Sequence, residues 1–138
     1  MAETFFFSAE PDMIDRPRVH WWLSEQSYWA QGRTRQAQDA AIDASRNYGV
    51  YDSQSEEQVA YGRVVTDGVT FAWLCDVFVA TEVRGRGIGK MLASGIMEDL
   101  GSLNLKRVLL STVDAHGLYS QFGFTALADP SKMMTNVR

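Results

Sequence analysis

Between Val69 and Val79 the chain reads VTFAWLCDVFV, and apart from Thr70 and Asp76 it is apolar at odd and even positions alike. A strand with one solvated face would alternate, so this one belongs in the interior of a sheet, covered on both sides. It leads into VRGRGIGK, Val83 to Lys90, and then into a stretch in which Ile88, Leu92, Ile96 and Leu100 recur every four residues along one helical stripe. A central strand, a glycine-rich turn and a packed helix in succession demand helices layered on a sheet.

The remaining segments fit around that unit. TFFFS, Thr4 to Ser8, predicts a first strand. Val19, Trp22, Leu23 and Trp29 fall near helical spacing and predict a helix from Pro17 to about Ala30, stopped by Gly32. A second, thinly apolar surface helix is expected from Thr34 to Arg46. Tyr48 to Tyr51 and Gln58 to Thr66 predict strands joined by the polar loop 52–57, and Asp67-Gly68 predicts a tight type I′ turn into the central strand. Beyond the striped helix, Arg107 to Val113 predicts a buried strand, Ala115 to Phe122 a short helix and Phe124 to Leu127 a last strand, while 129–138 has no period. The expected fold is one mixed α/β domain over residues 1–138, with a mostly antiparallel central sheet and about four helices.

Charge and cysteine content narrow the function. A net charge of −4 and a pI near 5.1 argue against a nucleic-acid binder, so any anion site must be local. One cysteine, Cys75, and two histidines give neither an internal disulfide nor a structural zinc set, and no metal is expected. The first residues lack a basic region ahead of a long apolar core, and nothing approaches the roughly 20 apolar residues of a membrane span. A cytoplasmic location with no membrane partner follows as the expectation.

The glycine loop fails two familiar phosphate signatures. In a P-loop four residues lie between the two glycines and a hydroxyl follows the lysine; here only three lie between Gly85 and Gly89, and Lys90 precedes Met91. The dinucleotide fingerprint needs G-x-G-x-x-G, whereas Gly85, Gly87 and Gly89 are evenly spaced. Physically, a strand entering a glycine turn and a helix aims free N–H groups and the helix dipole at one point. Arg84, Arg86 and Lys90 add formal charge that suits a diphosphate. The same glycines could also simply join strand to helix.

Two separated motifs carry a resemblance. Arg84-Gly85-Arg86-Gly87-Ile88-Gly89 resembles the Q/R-x-x-G-x-G/A signature of the GNAT superfamily of N-acetyltransferases, and Ala115 to Phe124, AHGLYSQFGF, resembles the A-x-x-L-Y-x-x-x-G-F stretch that follows its next strand. One helix and one strand lie between them, as in that family. The resemblance implies acetyl-CoA as co-substrate, its pyrophosphate cradled by backbone amides of Val83, Arg84, Gly85, Arg86, Gly87, Ile88, Gly89 and Lys90. It further implies pantetheine paired with the backbone of Phe78 and Val79, and a sheet splayed where cofactor and acceptor meet. Thr112 stands where the family often has a cofactor-contacting Asn, a departure that puts this contact in doubt.

Acetyl transfer to an amine needs a proton acceptor, a stabilised oxyanion and an acid for the leaving thiolate. Tyr119 is the expected acid, its phenol of pKa about 10 facing a thiol of about 8.5, with core packing as its other reading. Asp76, an odd carboxylate in an apolar strand, is a candidate base or acceptor anchor with an expected raised pKa, or else a structural hydrogen-bonding group. His116, close to Asp114, is a second candidate base, though a packed role is open to it; His20 is expected to be structural. Phe78 N–H is the candidate oxyanion donor. Tyr28 and Trp29 in SYWAQGR could wall an amine pocket or pack in the core, with Glu25 or Arg33 setting its charge. The expected acceptor is a primary amine on a small molecule; a lysine or N-terminus of a protein, or acetyl-CoA binding without transfer, are the alternatives. A homodimer through exposed aromatics or residues 131–138 is also open, though no periodic seam marks one.

Overall fold

The computed structural model describes residues 4–138. Strands β1 (Phe5–Ser8), β2 (Arg46–Asp52), β3 (Gln58–Thr66), β4 (Phe71–Val79) and β5 (Arg107–Leu110) form one sheet in that spatial order. The first three pairings are antiparallel and the last, β4 with β5, is parallel. Helices α1 (Arg16–Trp21), α2 (Arg35–Asp43), α3 (Ile88–Gly101) and α4 (His116–Ser120) complete the mixed α/β layers.

Local chemistry sets the boundaries. Asp15 caps α1 by accepting from Arg18 N at 3.1 Å, and a π-helical turn, Trp22–Gln26, prolongs it. The helical run ends there, four residues short of the expected Ala30. Ser27 turns extended, donates its hydroxyl to Leu23 O at 2.7 Å and accepts from Ala30 N at 3.1 Å. Residues 27–33 thus become a loop pinned to the helix it leaves. Thr34 caps α2 through Ala37 N.

The β3–β4 connection differs from the expected two-residue turn. Gly68 has φ +79°, but Asp67 is not in the left-handed region that a type I′ turn requires. Instead the Asp67 carboxylate accepts from Val69 N, Thr70 N and Thr70 Oγ1, building a four-residue loop, and β4 starts at Phe71. The expected strand from Phe124 to Leu127 is also absent. Gly123, at φ +88°, reverses the chain after α4, Phe124 N donates to Tyr119 O, and the Phe124 ring packs edge-on against Tyr119.

The striped helix forms as read, burying Ile88, Leu92, Ile96 and Leu100 against the sheet. Two glycines set how closely it lies. A Cβ at Gly62 of β3 would stand 2.9 Å from Ile96 Cδ1, and one at Gly95 of α3 would overlap the Phe7 ring of β1. The parallel pairing runs only from Phe71↔Arg107 to Leu74↔Leu110. Beyond it β4 continues to Val79 without a β5 partner, while β3 and β4 shift register between Tyr61 and Arg63 at a bulge where Asp76 has φ +52°. The sheet opens at that point.

Candidate functional site

A cavity of about 890 Å³ occupies the opening between β4 and β5. It runs from the glycine loop, past Phe78 and Tyr119, to the loop 27–33.

At the first end, Gly85 and Gly87 take φ +84° and +78°, and Gly87 is the N-cap of α3 with no side chain over it. The first amides of a 14-residue helix are therefore open toward the cavity, which Val83, Arg84, Gly85, Gly87, Ile88 and Gly89 line. Nothing lies within 4 Å of a Cβ placed at Gly85 or Gly87, leaving room for a ligand against the backbone. Such an end fits a pyrophosphate. Arg86 and Lys90 lie outside the cavity lining, and the Arg84 guanidinium stands 5.2 Å above the Phe78 ring with its Nε donating to Val79 O at 2.9 Å. The loop's cations thus contribute less directly than its amides.

Along β4 the ladder decides which backbone groups face the cavity. Ala80 N donates to Val59 O, so by the alternation of an antiparallel pair Phe78 turns its N–H and C=O toward Tyr61, its partner on β3. Val79 and Val77 turn theirs into the splay. This corrects the assignment of the Phe78 N–H as oxyanion donor, because that group belongs to the sheet. The Phe78 ring, stacked on Trp22 at 5.5 Å, is a wall. Thr112 lines the cavity, while its Oγ1 accepts from Ala115 N at 3.0 Å and shapes the entry to α4.

Tyr119 is 7% exposed and lines the same cavity. Burial, reinforced by Asp114, pushes its phenol up to about 12, so it holds its proton at neutral pH. Cys75 lines the same cavity, and burial outweighs the nearby Arg63 and raises its thiol to about 11. His116 is exposed and absent from the lining. At about 100° per residue, a short helix that turns Leu118 and Tyr119 inward leaves its first residue outside. The structure therefore does not bring His116 to the reaction space.

The other end is built from side chains. Asp76 Oδ2 accepts from Arg33 Nη1 at 2.8 Å and Arg63 Nε at 2.9 Å; Oδ1 accepts from Trp29 Nε1 at 2.9 Å and Arg33 Nη2 at 3.4 Å. Its side chain is 3% exposed. Burial alone would raise this carboxyl, but the hydrogen bonds and charges of Arg33 and Arg63 outweigh it and hold the group below the ordinary carboxylate value. The expected raised pKa is thereby corrected: the burial was foreseen and its two cations were not. A carboxylate so engaged is a poor base and a firm anchor. Tyr28 and Trp29 both line the cavity, are 66% and 42% exposed, and meet edge to face at 5.0 Å. They are surface walls and not core. His20 is structural, its Nε2 lying 2.8 Å from Arg33 O.

Arg63, Trp73 and Val77 are parts of the site that sequence reasoning missed. A lone cation in the apolar strand AYGRVVT, facing a strand with a lone carboxylate, was the available signal.

Comparison with known proteins places the fold and the family. The model of the acetyltransferase (GNAT) family matches residues 16–124, and the chain belongs to that family. A Gibberella zeae protein bearing a provisional acetyltransferase name is 30% identical over 137 residues, covering 85% of this chain and 76% of that one. A Xanthomonas campestris structure, provisionally described as a GNAT acetyltransferase, is 36% identical with TM-score 0.90, over 98% of this chain and 94% of the other. The Mycobacterium tuberculosis protein Rv2747, whose structure is a complex with CoA and NLQ, shares the fold at TM-score 0.72 and 16% identity, over 88% of this chain and 72% of that one.

Proposed function

We propose that this acetyltransferase moves an acetyl group from acetyl-CoA to a primary amine on a small molecule, with Tyr119 as the acid that protonates the departing thiolate. The observation that carries the reading is the single cavity joining the amide-rich mouth of α3 to the buried phenol. Acetyl-CoA supplies an activated thioester; a CoA complex in the fold neighbour Rv2747 supports that co-substrate. The amides of the glycine loop would hold its pyrophosphate, and the Val77 and Val79 groups turned into the splay would pair with the pantetheine arm or hold the oxyanion.

The step balances as follows. The neutral amine nitrogen bonds to the carbonyl carbon, the C–S bond breaks, the Tyr119 proton passes to sulfur, and the proton lost by the amine leaves through water and restores the phenol. The phenol is a weaker acid than in water, yet the leaving thiol is raised by the same burial. A small acceptor is favoured because the loop 27–33 is tied to the sheet by Asp76 and walls that end of the cavity.

Tyr119→Phe tests the mechanism. Thiol release should fall about a hundredfold while acetyl-CoA affinity by calorimetry changes less than about twofold. Unchanged turnover would remove Tyr119 from the chemistry.

A further inference from the structure

The acceptor end has one more positive charge than the protein neutralises. Arg33 and Arg63 converge on the one carboxylate of Asp76, whose two oxygens already accept four hydrogen bonds from Trp29 and the two arginines. The remaining bonds of these arginines go to neutral groups, Gln38 Oε1 at 3.0 Å and Ser45 Oγ at 3.0 Å. Arg33 Nε and Arg63 Nη2 stand outside this network, on side chains 23% and 14% exposed that line the cavity. Two partly buried guanidiniums that share one carboxylate leave a positive charge uncompensated, and their remaining N–H donors suit a second carboxylate.

We propose that the acceptor is an amino carboxylate, its acid group seated on the remaining N–H donors of Arg33 and Arg63 against the Tyr28 and Trp29 wall, its amine directed toward Tyr119. This rests on the acetyltransferase reading above and gives it a substrate class. One excess positive charge matches a monoanion; a phosphate dianion would leave the site negative. The same charge disfavours polyamines. Asp114, the other carboxylate of the cavity lining, lies near enough to Tyr119 to act on its phenol, so the cavity turns from positive at the two arginines to negative near Tyr119, along the line an amino acid would occupy.

The test measures thiol release from acetyl-CoA with matched acceptors: common amino acids against their own α-amides, longer ω-amino acids against simple alkylamines, and phosphoethanolamine. At least one acid should exceed its carboxylate-free partner by about tenfold or more in kcat/KM, although an amino acid amide offers more neutral amine at the same pH. Arg33→Gln should reduce that preference through KM for the acid while acetyl-CoA affinity stays constant. Equal or better turnover of amides and alkylamines, or a preference for phosphoethanolamine, would overturn the carboxylate assignment and leave the acetyltransferase reading standing. Thiol release with none of the amines, in a protein that binds acetyl-CoA, would overturn both.

Discussion

The two ends of the cavity are held by opposite means. At the glycine loop the groups on offer are main-chain amides, set by two left-handed glycines and a helix start within a few consecutive residues. At the far end the groups are side chains brought from a loop and two strands, meeting on one buried carboxylate, with Ser45 from the turn after α2 holding Arg63 behind them. A site made of backbone depends on local conformation and tolerates most side-chain changes around it. A site made of converging side chains depends on register, and removing its centre leaves charges stranded.

The largest effect should come from breaking the backbone end alone. Gly87→Glu forces a side chain into a left-handed position and sets negative charge at the mouth of α3, in open space where the rest of the fold is undisturbed. Calorimetric binding of acetyl-CoA should vanish, while the melting temperature falls by only a few degrees, in keeping with a cost of about 1 kcal/mol.

Asp76→Asn should do the reverse. Two cations lose their shared partner in a site where the side chain is 3% exposed, so stability should drop by about 3 kcal/mol, or about 10 °C in Tm, with acetyl-CoA affinity within a few-fold of wild type. The pH dependence sharpens this. Because the folded-state pKa of Asp76 is depressed, its contribution is complete above the unfolded carboxyl value of about 4 and is lost as pH falls through the folded value. The Tm gap between wild type and variant should therefore be constant near neutrality and close on acidification. Asp67, also held low, chiefly by its Thr70 hydrogen bond, is common to both proteins and cancels. A gap that widened toward acid would refute the arrangement.

The smallest effect belongs to Trp29→Phe, which keeps an aromatic wall and deletes only the indole N–H donated to Asp76. About 1 kcal/mol of stability should be lost, with no change in acetyl-CoA affinity and a few-fold rise in acceptor KM. A fall in acetyl-CoA affinity would show that the two ends are coupled.

The same contrast explains what was legible in the sequence. The glycine loop, the Ile88 to Leu100 stripe and the order of elements are written in neighbouring residues, and the family motifs lie on them. The Asp76 cluster depends on hairpin register. A two-residue turn at Asp67-Gly68 pairs Thr66 with Val69, whereas in the structure Thr66 pairs with Ala72. That slip of three residues reverses which β4 side chains share a face with Arg63. The bulge at Asp76 then shifts the ladder by one more, from Arg63↔Cys75 to Tyr61↔Phe78. No periodicity records either event, so the carboxylate was visible and its cations were not. His116 was misplaced for a related reason: five residues of helix hold too little pattern to say which side faces in.

Gly95 carries a consequence beyond this one chain. Because α3 has no side chain there, the Phe7 ring fills the space, and the first strand is keyed into the middle of the helix whose N-terminal end faces the cavity. The two positions form one lock. Among descendants of this fold they should change together, an alanine or serine at 95 being tolerated where residue 7 has shrunk to leucine or valine, and each single step toward that pair should be worse than either endpoint.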